Sequence, residues 1–212
     1  MEQLSFFEHN ENDLSVLADV LDYLPAMFTK AESNQYLEHF IHTVPWQQRS
    51  VLMYGKEVIT PRLTAWYGDV DADYSISGTG ASPLPWTDEL LTIREKIAVQ
   101  SGFNFNTVLL NYYRDGNDSV SWHDDQDNIP GRNQIVASVS FGQERLFDIR
   151  QKKNHAVKYS IPLPSGSYLL MKGRFQDDWQ HRIAKSAHAM KPRVNLTFRI
   201  SNTRVIPNKH SS

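Results

Sequence analysis

Cysteine is absent from all 212 residues. That excludes disulfides, thiolate zinc sites and cysteine nucleophiles together, so any metal here must be held by histidine and carboxylate. Apolar runs are short: none approaches the ~20 residues that a membrane-spanning helix needs. The acidic start MEQLSFFEHNEND has no basic segment ahead of an apolar one, so no secretory signal is expected. Internal repeats, low-complexity tracts and Gly/Ser linkers are also missing, which favours one compact domain. An intracellular protein is therefore expected, cytoplasmic or nuclear, with no membrane partner and in a monomeric state.

Net charge is close to zero, at −2, and by itself argues neither for nor against a polyanionic partner. Its distribution is uneven. Residues 1–24 carry six acids and no Lys or Arg, whereas residues 145–212 carry fourteen Lys or Arg against three acids. A basic C-terminal third suits phosphate contact, but an ordinary solvated surface has the same look.

Two helices are expected. In Thr29–Val44, Thr29 and Glu32 have capping-box spacing, and Leu37, Phe40, Ile41 and Val44 follow the helical i, i+3, i+4, i+7 rule. The second runs from Thr87 to about Gln100, with Thr87 as N-cap, Asp88 and Glu89 in the first turn and Gly102 beyond the end. After Gly102 the pattern changes to short strands: Phe103–Tyr113, Ile135–Phe141, Arg145–Arg150, Tyr159–Leu163, Ser167–Met171 and Arg193–Ser201. The stretch between Met171 and Arg193 shows no periodicity and reads as a long irregular loop. This order gives a mainly β fold with N-terminal helices, an α+β sandwich or jelly roll.

Trp122-His123-Asp124-Asp125 contains the most suggestive chemistry. On an extended chain residues i and i+2 share a face, so His123 and Asp125 would present an imidazole and a carboxylate side by side. A His-x-Asp pair alone is more often a polar turn. His181, in Trp179-Gln180-His181, is the candidate for a third ligand. Two His and one carboxylate on one face of an octahedral metal leave positions open for co-substrate and oxygen, which favours iron over tetrahedral zinc.

The segment Arg193–Ile200 alternates strictly, with Arg, Asn, Thr, Arg at odd positions and Val, Leu, Phe, Ile at even ones. As a strand it is polar on one face and apolar on the other. A solvent-facing polar side is the usual explanation. Beside an iron site, two guanidiniums ~20 Å apart along the strand also suit a carboxylate-bearing co-substrate. Asn111 and Tyr113 repeat the i, i+2 placement.

With these residues placed, the sequence resembles the AlkB-like iron(II)/2-oxoglutarate dioxygenases, in the branch that repairs alkylated DNA. The likeness runs from about Pro61 to Ile200 and rests on PRLTAWYGD, FNTVLLNYYRDGNDSVSWHDDQD, GSYLLMKG, WQH and RVNLTFR, in that order. It implies a double-stranded β-helix, or jelly-roll, core over residues 103–201. Residues 1–102 would supply helical support and a nucleotide-recognition region, all within one domain, 1–212.

The resemblance further implies iron(II) on His123, Asp125 and His181. Asn111, Tyr113 and Arg193 would hold the distal carboxylate of 2-oxoglutarate, and Arg199, with Asn195, would face the end nearest the metal. Oxygen is the second co-substrate. For the base, it implies Asp127 as acceptor from the exocyclic amino group, Tyr74 as a pocket tyrosine, and Tyr54 in Met53–Lys56 as a wedge that fills the gap of a flipped base. The family's base-stacking aromatic is replaced here by Ile76. Arg62 and the run Arg150–Lys153 are candidates for phosphate contact. The implied reaction hydroxylates an N-methyl group of 1-methyladenine or 3-methylcytosine in DNA, with RNA an alternative, and formaldehyde is lost. Two other readings compete: the same chemistry on a protein or small molecule, and a non-catalytic jelly roll that binds nucleic acid.

Overall fold

The structure, a computed structural model, describes residues 16–53, 56–70, 72–73, 83–125 and 135–203. Tyr54, Tyr74, Ile76 and Asp127 lie outside the described residues.

In chain order the elements are β1 (Leu21–Leu24), α1 (Lys30–Thr43), β2 (Gln47–Met53), β3 (Lys56–Gly68), β4 (Ala72–Asp73), α2 (Asp88–Ser101), β5 (Thr107–Tyr113), β6 (Val120–His123), β7 (Val136–Gly142), β8 (Arg145–Gln151), β9 (Lys158–Leu163), β10 (Ser167–Met171), α3 (Phe175–Asp178), β11 (Trp179–Ile183), β12 (Arg193–Arg199) and β13 (Asn202–Thr203). The expected helix caps are present. Thr29 Oγ1 accepts from the Glu32 N–H, and Glu32 Oε2 accepts from the Thr29 N–H at 2.7 Å, which completes a capping box. Thr87 caps α2, and Gly102 ends it at φ 77°, a left-handed conformation that glycine adopts without a Cβ penalty.

Seven strands form one sheet in the order β1-β10-β7-β12-β5-β3-β2, and four form a second in the order β6-β11-β8-β9. From β5 to β12 the chain passes back and forth between the two sheets, with every pairing antiparallel. This is the jelly-roll wrap. One turn, between β8 and β9, stays within the four-stranded sheet.

Two apolar layers hold it. Leu196, Phe198, Leu110 and Val139 pack beneath α1 and α2 with Phe40, Ile93 and Ile97, whereas Phe147, Ile149, Ile161, Leu169 and Phe175 fill the space between the sheets. β12 is buried along its whole length. Its polar face is thus turned inward, towards the second sheet, and not to solvent.

The large sheet also takes strands from before Gly102, where helices and a short hairpin were expected. β2 and β3 escape a period-two reading because their register slips between Gln48 and Ser50, opposite Pro61, whose ring nitrogen has no proton to give the ladder. The stretch from Met171 to Arg193 is likewise not one irregular loop. It holds α3 and β11, of four and five residues, too short to show a period.

Candidate metal centre and co-substrate cleft

β6 and β11 pair so that His123 and His181 are directly opposite. Cross-strand partners point to the same face, which here is the interior. The two rings lie 4.2 Å apart between centroids. Asp125, just past the end of β6, brings Oδ2 to 3.5 Å from His181 Nε2 and Oδ1 to 3.9 Å from His123 Nε2. One ligand atom from each of the three lies within 4.8 Å of the others, a set that could hold a metal ion.

The surroundings prepare these groups to act as ligands. His123 Nδ1 sits 2.9 Å from the Ser121 carbonyl, which orients the ring and leaves Nε2 facing the cluster. Burial pushes His181 down to about 3, helped by His123 and Arg199 and opposed by Asp125, so its ring is neutral across the physiological range. Burial also opposes the charge on Asp125, but the Arg199 guanidinium, with His181 and His123, outweighs it and holds the carboxyl far below the usual range. Arg199 Nη2 donates to Asp125 Oδ1 at 2.6 Å. The other oxygen, Oδ2, is buried with no hydrogen-bond partner among the described residues. Two imidazoles and a carboxylate with one oxygen that has no hydrogen-bond partner among the described residues fit iron(II).

Gln176 and Lys152 brace this corner. Gln176 Oε1 accepts from the Asp125 N–H at 2.9 Å, and Lys152 pairs with Asp124 at 2.7 Å and donates to the Gln176 carbonyl at 2.7 Å. Neither stood out in the sequence as a bracing residue; the only signal was proximity of Gln176 to the WQH motif.

From the cluster a row of buried polar side chains runs along the inner face of the large sheet. Register places Arg193 opposite Tyr113 and Asn195 opposite Asn111, so these four share one face as expected. Asn195 is consumed within the sheet: its Nδ2 donates to Ser138 Oγ and the Val139 carbonyl, and its Oδ1 accepts from Thr197. Arg193 is different. It is only 1% exposed, and Nη2 donates to Ser140 Oγ at 2.9 Å, but Nε and Nη1 are buried with no partner among the described residues. Burial lowers its pKa, a cost that a bound carboxylate would offset.

Arg62 does not reach outward as a phosphate contact would. Its Nε donates to Asn111 Oδ1 at 2.8 Å, so it lines the cleft, because register puts it on the same inner face as Tyr113. Arg150 lies on the outer face, where it donates to Gln180 Oε1 and sits over the Trp122 ring at 4.4 Å. Lys152 is tied to Asp124, and Lys153 is exposed.

Comparison with known proteins agrees with this arrangement. The family model for the 2OG-Fe(II) oxygenase superfamily matches residues 20–199. The human alpha-ketoglutarate-dependent dioxygenase alkB homolog 3 is 40% identical over 184 residues, covering 82% of this chain and 64% of that protein. Human DNA oxidative demethylase ALKBH2 is 36% identical, covering 82% of this chain and 70% of its own length. The chain thus spans slightly under two thirds of the alkB homolog 3 proteins it matches. The solved structure of OsALKBH1 shares the fold, with a TM-score of 0.59 at 15% identity over 84% of this chain and 97% of that one. The chain belongs to the 2OG-Fe(II) oxygenase superfamily, in its AlkB-like branch.

Proposed function

We propose that this protein is an iron(II)- and 2-oxoglutarate-dependent oxidative demethylase that acts on N-methylated bases of DNA, of the 1-methyladenine and 3-methylcytosine type. The observation that carries the reading is the pairing of two unsatisfied groups in one cleft. A His–Asp–His cluster stands at one end and Arg193 at the other; among the described residues Asp125 Oδ2 and two guanidinium nitrogens of Arg193 have no hydrogen-bond partner. In this function His123, Asp125 and His181 hold the iron. When bound, iron and 2-oxoglutarate together supply the oxidising power that hydroxylates an N-methyl group, whose carbon is then lost as formaldehyde.

The chain's own residues bind and orient. Arg193, Tyr113 and Asn111 take the distal carboxylate, with Arg62 fixing the Asn111 amide so that its Nδ2 can donate. Arg199 holds Asp125 in one rotamer and keeps it ionised. Asn195, bound to Ser138 and Thr197, stiffens the cleft wall and leaves the end nearest the metal to Arg199. Asp127 accepts from the exocyclic amino group and complements the positive charge of the methylated base, Tyr74 and Ile76 line the base pocket, and Tyr54 wedges into the duplex. These last four roles rest on sequence likeness. The relatives' names also support the substrate: one is called a DNA oxidative demethylase. The working unit is a monomer inside the cell, where the nucleic acid is.

The test is formaldehyde release from oligonucleotides carrying 1-methyladenine, 3-methylcytosine or a neutral methylated base, in wild type and Asp127→Ala. Release from the cationic bases, reduced selectively by the substitution, is expected. Release only from methylated peptides or small molecules, or none at all, would refute the substrate.

A further inference from the structure

Arg145 holds neither iron nor co-substrate under that function, yet it is 4% exposed and points from β8 into the space between the sheets. Burying a guanidinium is costly unless its charge is answered. Among the described residues its donors reach only main-chain oxygens, those of Asp115, Asp118 and Ala184. The acids that act on it are Asp118 and Asp115, but the Asp118 carboxylate is forked by Arg114 at 2.8 and 2.9 Å.

Its other neighbour is the Tyr113 ring. The Arg145 guanidinium carbon lies 5.7 Å from that ring's centre, and the Arg193 guanidinium carbon lies 4.9 Å from the same centre. Two buried cations therefore share one phenol, and Arg145 disfavours the charge of Arg193. Arg193 has two nitrogens unsatisfied, and no carboxylate among the described residues forms an ion pair with either arginine. A staple for three carbonyls would not need to stand against a second unsatisfied cation. An anion bound beside Tyr113 would relieve both at once.

We propose that Arg145 is a positioning residue for the co-substrate. It holds Tyr113 in place against Arg193 and adds a second positive charge behind it, so that the cleft selects 2-oxo acids with a distal carboxylate over those without one. This rests on the co-substrate assignment above.

The test uses the full chain loaded with manganese(II), which binds without turnover, and calorimetric titration with 2-oxoglutarate and with 2-oxobutyrate, which lacks the second carboxylate. Wild type is expected to prefer the diacid. R145M is expected to lower diacid affinity about tenfold, the scale of coupling between contacting residues, with monoacid affinity unchanged. R145K, which keeps the charge and loses the fork, is expected to retain the preference. In a Tyr113→Leu background R145M should have no further effect. Should R145M fail to fold, R145Q serves as the neutral variant. Equal weakening of both acids, an unchanged diacid affinity, or loss of the preference in R145K would overturn the proposal and leave the oxygenase function standing. A wild type that binds neither acid would refute both.

Discussion

Asp125 carries more opposing influences than any other residue of the metal centre. Its side chain is 6% exposed, which alone would favour the neutral acid, yet Arg199 at 2.6 Å and two imidazoles keep it an anion. The same Arg199 helps to keep His181 neutral. Replacing Asp125 by Asn removes the negative charge that faces Arg199 and the two imidazoles. Manganese(II) affinity should fall at least roughly 100-fold, as read by calorimetry, with the far-ultraviolet spectrum unchanged. Gln176→Leu is a milder test: it withdraws the acceptor from the Asp125 N–H and should weaken metal binding about tenfold. Unchanged affinity in Gln176→Leu would show that Asp125 is held well enough by Arg199 alone.

At the scale of elements, the turn between β5 and β6 sets where His123 begins. Asp118 closes it, accepting from the Arg114 N–H at 2.9 Å and from the Arg114 side chain. Burial raises the Asp118 pKa, but the hydrogen bonds from Arg114 outweigh it and leave the carboxyl below its ordinary value. A group whose folded pKa is depressed gives its full stabilisation above the unfolded value and loses it as pH falls through the folded one. Asp118→Asn should therefore cost about 2 kcal/mol between pH 5 and 8. The gap in melting temperature from wild type should narrow below about pH 4. A gap independent of acid would mean that the amide recovers the turn's hydrogen bonds. Under the proposed function, Tyr54, between β2 and β3, would act on the nucleic acid instead. Tyr54→Ala should slow demethylation of duplex substrate more than of single strands, since only a duplex leaves a gap to fill. Equal slowing would remove the wedge role.

For the whole molecule, the proposed metal and co-substrate sites draw on residues of both sheets, which come together only in the folded chain. Ligands of this kind stabilise by mass action, about 2.7 kcal/mol at 100 times their dissociation constant. Manganese(II) and 2-oxoglutarate together should raise the melting temperature by several degrees, more than the sum of each alone, and a chelator should reverse it. A strictly additive rise would argue that the two sites do not share one cleft.

Much of this was written in the sequence. The two helices follow from local capping and 3.6-residue periodicity, which depend on near neighbours only. The alternation of Arg193–Arg199 fixed which side chains share a face, and His123 and Asp125 were paired by spacing. Which way that polar face turns was not legible, because alternation is the same for a strand facing water and one facing a partner sheet; the wrap of the second sheet decided it. His181 meets His123 only through the register of β11 on β6, set by contacts far apart in the chain. Arg62 read as a candidate phosphate contact, and Arg145 was given no role, for the same reason. Charge and periodicity are properties of a segment, but the identity of the group a buried arginine answers is a property of whatever the fold brings opposite it.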